Sequence, residues 1–293
     1  MKNRRNHRSG YFWPSVMLAL VAVFAIGAMA IGCGGNTSTT AASTAAPSST
    51  VAAGSQQLIL ASTTSTQDSG LFDVLIPAFE KAYPQYKVKV VAVGSGEALT
   101  LGQTGDADVL LVHSPAAEET FMKQGYGVAR KAVMYNDPAK IKGMTSAADA
   151  FAAIAKAKAL FYTRGDNSGT YTKELSIWKS AKITPSGTWY QKTGQGMGET
   201  LTISDQKSGY TLSDRATYLS KKSSLKLEIL VQGDTDLFNQ YHVITCKKAK
   251  NVQGGNDFMN WIVSPTVQNG IIASFGKDTY GQALFTPNAA TAK

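Results

Sequence analysis

The chain has 293 residues, 43% of them hydrophobic and 17% charged, and a formal net charge of +9. That length is enough for two modest domains or one large one. The basic excess suits an anionic ligand or an acidic surface, but no Lys/Arg cluster is interleaved with aromatics, which argues against nucleic acid as a partner.

The N-terminus carries Lys2, Arg4, Arg5 and Arg8, followed by an apolar run over residues 17–31. A permanent membrane helix needs about 20 apolar residues. A basic segment followed by a shorter apolar one reads as a secretion signal, residues 1–32. The run ends in Ala30-Ile31-Gly32-Cys33, which resembles a bacterial lipobox, with Ala30 where Leu is more usual. The alternative is an ordinary signal peptide with a chance cysteine. The resemblance implies lipidation at Cys33 and a mature chain anchored on the outer side of a cell membrane. Two acyl chains on one cysteine give a stable anchor where one does not. Residues 33–56, almost all Gly, Ser, Thr, Ala and Asn, cannot bury a core and read as a flexible tether.

From residue 57 strands and helices alternate. Residues 58–61 form a strand, and the hydroxyl-rich loop Ser62-Thr63-Thr64-Ser65-Thr66 follows. A helix begins near Ser69, with Leu71, Leu75 and Phe79 on one face. Residues 87–93 are a second strand. Gly94-Ser95-Gly96 turns into a short helix bearing Ala98, Leu99 and Leu101, and residues 109–112 are a third strand. An Ala-rich helix covers 145–158, where Ser146 and Asp149 form a capping box. After a strand at 160–163 and the turn Arg164-Gly165-Asp166-Asn167, a helix from Ser168 places Tyr171, Leu175 and Trp178 on one face. A Gly-rich loop, 193–198, leads to a helix over 199–206, and Ser213 caps a short helix. Strands are expected at 227–231 and 241–245, and helices at 257–263 and 266–275. Such alternation implies an α/β fold, with mostly parallel sheet flanked by helices.

Several loops share one design: each joins a strand's carboxyl end to a helix start and is made of Gly, Ser and Thr. Helix N-termini offer unpaired N–H groups and a positive dipole end, which bind oxyanions. Ligands of open α/β sheets lie outside the strands' carboxyl ends. Thr63-Thr64-Ser65, Ser95, Ser168-Gly169-Thr170 and Gly196-Met197-Gly198-Glu199-Thr200 would converge there, with Arg164 supplying charge and a fork of donors. Each piece has a plainer reading: Ser or Thr before a helix is usually only a cap, and Arg164 could pair with Asp166. On pattern alone, phosphate, sulfate, molybdate and tungstate stay unresolved.

Six strings run along the chain in order: Thr63-Thr64-Ser65-Thr66-Gln67-Asp68-Ser69-Gly70, Gly105-Asp106-Ala107-Asp108, Val133-Met134-Tyr135-Asn136-Asp137, Arg164-Gly165-Asp166-Asn167-Ser168-Gly169-Thr170, Gly194-Gln195-Gly196-Met197-Gly198 and Tyr210-Thr211-Leu212-Ser213-Asp214-Arg215. Together they resemble the substrate-binding subunit of the tungstate ABC importer. The resemblance implies a two-lobed periplasmic-binding-protein fold that closes on the anion between its lobes. Lobe I would be 57–137 with 239–285, lobe II 138–238, and 286–293 a tail. It also implies ligand contacts at Thr63, Thr64, Ser95, Arg164, Thr170, Met197 (through its backbone) and Thr200, flanked by Ser65 and Ser168. The implied partners are tungstate and an ABC permease. In the family an apolar strand and a turn follow the Met-Tyr-Asn-Asp string; here Asp137 runs straight into Pro138. One hinge connection is therefore expected to be missing.

No metal site and no cofactor are expected, since no Cys/His spacing suits zinc. Cys246 sits in a strand-like run and reads as packed. An enzyme would need a nucleophile beside an oriented base, and His113 and His242 lie beside no Ser or Cys motif. The chain therefore reads as a binding protein, with another oxyanion or an anion-sensing role as alternatives.

Overall fold

The computed structural model describes residues 54–136 and 144–290. The leader, Cys33, most of the tether and the junction at Asp137–Pro138 lie outside the described residues. The larger lobe is built on a six-stranded sheet in the order β2-β1-β3-β7-β4-β8. Its strands are β1 (Gln56–Thr63), β2 (Tyr86–Val93), β3 (Val109–Val112), β4 (Gly127–Asn136), β7 (Asn239–Cys246) and β8 (Thr286–Pro287). β1 pairs in parallel with β2 and β3. β7 is antiparallel to both β3 and β4, because it brings the chain back from the smaller lobe and enters the sheet from the opposite end. Thr286 and Pro287, expected in a tail, add an antiparallel edge strand against β4.

The central strands are apolar on both faces, with a period of two. Leu58, Leu60, Val109, Leu111, Tyr241 and Val243 enter one core cluster. Ala61, Leu110, Val112, Ile244 and Cys246 enter the other. This is how a strand covered on both sides reads as a continuous apolar run. α1 (Thr64–Asp68) and α2 (Leu71–Ala82) follow β1, and Leu71, Leu75 and Phe79 are fully buried as the four-residue spacing requires. α3 (Ser95–Thr104) and α4 (Pro115–Lys123) complete the first half of this lobe; α9 (Val252–Ile262), a π-helical turn (Val267–Ile272) and α10 (Lys277–Tyr280) close the second. The π-turn replaces part of the helix expected over 266–275. Gln268 is buried there, its Nε2 donating to the Ile262 carbonyl and its Oε1 accepting from Ala289 N. Burial pushes the Cys246 thiol up to about 12, so it is a packing group and not a nucleophile.

The smaller lobe holds α5 (Ala147–Ala157), β5 (Phe161–Thr163), α6 (Gly169–Ser180), β6 (Tyr190–Lys192), α7 (Met197–Gln206) and α8 (Arg215–Lys221). β5 and β6 pair in parallel, and Tyr210 bridges to Phe161 on the other side. Phe151, Phe161 and Trp178 form its core, with ring centroids 4.4–5.3 Å apart. On α6 the buried face is Thr170, Glu174, Ile177 and Trp178. Leu175, expected inside, is exposed, because a buried Glu174 receives Trp178 Nε1 and Tyr190 Oη and so turns the helix. Ser146 caps α5 as expected, whereas Asp214, not Ser213, caps α8.

Residues 227–231 alternate like a strand but join no ladder among the described residues. Leu227 and Ile229 pack on the α7–α8 cluster instead, and Val231 packs on the Phe161–Trp178 cluster. Beside them lies a cavity of about 770 Å³, lined by Met144, Phe151, Ile154, Leu212, Ile229 and Val231 among others. Here packing has satisfied the alternation and strand pairing has not. Buried apolar surface contributes about 25 cal/mol per Å², and backbone groups outside a ladder rely on single side-chain partners, as Leu227 N does on Asp205 Oδ1 at 2.9 Å. Residues 145–235 should therefore show weaker hydrogen-exchange protection than 58–135. Inserting an apolar strand and turn after Asp137 should narrow the gap. Uniform protection, unchanged by the insertion, would refute this reading.

Candidate functional site

The helix starts singled out above meet between the lobes. Arg164 is at their centre, 2% exposed, at the carboxyl end of β5. Its Nη2 donates to Thr64 Oγ1 at 3.1 Å and its Nη1 approaches Ser65 Oγ at 3.5 Å, across to the start of α1. Its Nε and Nη2 both donate to Asp166 Oδ2, at 3.1 and 2.6 Å. The two readings weighed for Arg164 are thus one arrangement: it pairs with Asp166 and faces the hydroxyl loop. The positive φ of Gly165, +65°, makes the turn that returns Asp166 onto Arg164.

α3 joins from the larger lobe, where Gly96 N donates to the Asn167 carbonyl at 2.8 Å. Ser95 is fully buried beside it, and its Oγ lies 3.5 Å from His113 N. α7 joins from the smaller lobe: its N-cap is Gly196, where a Cβ would lie 3.4 Å from Thr64. The neighbouring amide, Gly198 N, donates to Asp68 Oδ2 at 2.9 Å, and Thr217 Oγ1 donates to the Ser65 carbonyl at 3.2 Å. These bonds stitch the lobes together on one side of the site.

The structure sorts the expected residues. Thr63 and Ser168 use their hydroxyls as helix caps, accepting from Thr66 N and Tyr171 N. Thr200 Oγ1 pairs with Thr193 Oγ1 at 2.9 Å. Thr64, Ser65, Ser95, Arg164, Thr170 and the backbone at Met197 stand at the helix starts or on Arg164 itself.

Four further groups stand here, of which sequence reasoning names Asp166 only as a surface partner of Arg164 and gives none of the other three a place in the site. Asp166 is a carboxylate in the middle of an anion-binding pattern, and Asp68 caps α7 from the other lobe. Asn167 acts through its carbonyl, which no side-chain pattern reveals. His113 lies at the carboxyl end of β3, buried, stacked on Tyr241 at 4.5 Å, with Nδ1 2.9 Å from Asn239 Oδ1. Burial pushes its pKa down to about 4, so it is neutral at ordinary pH. His242 belongs elsewhere, in a partly buried cluster with Arg130 around the buried Glu118.

Two α/β lobes, with helix starts from both meeting on one buried arginine, define a protein of the periplasmic-binding class. The chain belongs to the PBP superfamily, whose domain model matches residues 37–266, and within it to the TupA family. The tungstate-binding protein TupA of Peptoclostridium acidaminophilum is 48% identical over 242 residues, covering 78% of this chain and 84% of that protein. The crystal structure of the tungstate ABC transporter from Geobacter sulfurreducens is 43% identical, with a TM-score of 0.66 over 73% of this chain and 97% of that one. The tungstate-binding protein TupA from Desulfovibrio alaskensis G20 is also 43% identical, with a TM-score of 0.63 over 80% of this chain and all of that one. These relatives are binding proteins and transporter components.

Proposed function

We propose that this chain captures tungstate outside the cytoplasm and delivers it to the permease of an ABC importer. The observation that carries the reading is Arg164, a buried cation at the junction of helix starts from both lobes. The names of the relatives support tungstate over other anions. The contacts assigned to the anion are Thr63, Thr64, Ser95, Arg164, Thr170, Thr200 and the backbone at Met197, with Ser65 and Ser168 beside them. A cap hydroxyl such as that of Ser168 accepts from its own helix and keeps its O–H for the ligand. A tetrahedral dianion would accept from hydroxyls and first-turn amides, which are neutral donors, and from one guanidinium edge. Such donors bind without a full set of counter-charges. The chain leaves lobe I (57–137) for lobe II (138–238) and returns at Asn239, so binding would draw the lobes together.

Calorimetric titration of the mature domain with tungstate, molybdate, sulfate and phosphate tests this. Tungstate should bind tighter than sulfate or phosphate by orders of magnitude. Equal affinity for sulfate would remove the tungstate assignment.

We also assign Cys33 as the lipid-bearing residue that tethers the protein to the membrane, on the strength of Ala30-Ile31-Gly32-Cys33. Cys33→Ala should abolish incorporation of labelled fatty acid and release the protein from the membrane fraction. A variant that is cleaved yet stays membrane-bound would contradict it.

A further inference from the structure

The anion site contains a carboxylate, which by charge alone should weaken it. Asp166 lies two residues from Arg164, and its side chain is 26% exposed against 2% for the arginine. One of its oxygens, Oδ2, accepts both Nε–H and Nη2–H of Arg164. The other, Oδ1, accepts from Ser168 N at 3.2 Å, at the cap of α6. Of the guanidinium's donors, Nε is thereby used and Nη2 is shared between Asp166 and Thr64. The Nη1 edge is left with only a 3.5 Å approach to Ser65 among the described residues. A guanidinium has several rotamers open to it, and a planar fork is useful only when its plane is fixed. Asp166 fixes it, and the same carboxylate fixes the start of α6 relative to it.

We propose that Asp166 is the positioning residue of the anion site, clamping Arg164 and the α6 N-terminus into one unit so that the Nη1 edge faces the bound oxyanion. The proposal rests on the oxyanion-binding reading above. It explains how an anion site accommodates a carboxylate: orientation of the arginine and the helix start outweighs repulsion of the ligand, because the guanidinium pairs with Asp166 at 2.6 Å.

A sign reversal follows. With Arg164 present, Asp166→Asn should weaken oxyanion binding about tenfold, since charge-assisted bonds hold the fork, and Asp166→Glu should recover part of the loss. In an Arg164→Ala background the carboxylate has nothing left to orient and only repels the dianion, so there Asp166→Asn should strengthen binding, by about threefold or more. The experiment is a double-mutant cycle on the mature protein, titrated with tungstate, molybdate and sulfate. It is paired with NMR of the Arg164 Nε–H in the ligand-free protein. The wild-type signal should be shifted and slow to exchange, and Asp166→Asn should remove both features. Equal loss from Asp166→Asn in both backgrounds, or no loss with Arg164 present, would overturn the proposal. If the wild type binds no oxyanion, the anion reading fails; a fast-exchanging, unshifted wild-type Nε–H independently refutes the clamp.

Discussion

Arg164→Ala should weaken tungstate binding by about ten- to a hundredfold or more while the domain stays folded. Hydrogen bonds to charged groups contribute about 1.5–3 kcal/mol each, and about 1.4 kcal/mol is a factor of ten in affinity. Arg164 is buried between Thr64, Ser65 and Asp166, so no water replaces its donors cheaply. The variant also leaves Asp166 facing the ligand without its counter-charge. Arg164→Lys should restore only part of the affinity, because an ammonium offers no planar fork to share between Asp166 and the anion. Calorimetry reads the affinity and a thermal melt checks the fold. Wild-type affinity in the alanine variant would remove Arg164 from the binding contacts.

Gly169→Ala should be nearly as damaging, for a steric reason. Gly169 opens α6 in the smaller lobe, and a Cβ there would lie 2.5 Å from the His113 carbonyl oxygen and 2.7 Å from its Nδ1, in the larger lobe. His113 cannot easily give way: Asn239 holds its ring at 2.9 Å and Tyr241 stacks on it. The methyl group would hold the start of α6 off the end of β3, and every contact that needs both lobes would lengthen. Overpacking of this kind costs about 1–3 kcal/mol, here charged against lobe approach and not against either lobe's own core. We expect a loss of about ten- to a hundredfold in tungstate affinity with a small change in melting temperature. His113→Ala in the same chain removes only the ring contacts and leaves the 2.5 Å clash with the backbone carbonyl oxygen, so it should return little of the affinity. Unchanged binding by Gly169→Ala would mean that the lobes need not come this close to hold the ligand.

The sequence by itself determined the strands and helices whose signals are local. Leu71, Leu75 and Phe79 lie on one buried face because a four-residue spacing leaves no other way to cover them. β3 is buried on both sides because four consecutive apolar residues cannot be sorted between core and water. The runs of hydroxyls and glycines before helices located Thr64, Ser65, Ser95, Ser168 and Thr170, because unpaired first-turn amides need such residues nearby. Only the tertiary structure decided what these groups touch. It gave the Thr63 and Ser168 hydroxyls to their own helices, paired Thr200 with Thr193, and set Arg164 between Asp166 and the opposite lobe. It left residues 227–231 outside any ladder among the described residues although they alternate as a strand should, because a ladder needs a neighbour and alternation supplies only a face. Composition and spacing specify which donors a segment owns. Whether a group is engaged within its own turn or reaches across to the other lobe depends on contacts as far apart in sequence as Thr64 and Arg164, and no local pattern encodes those.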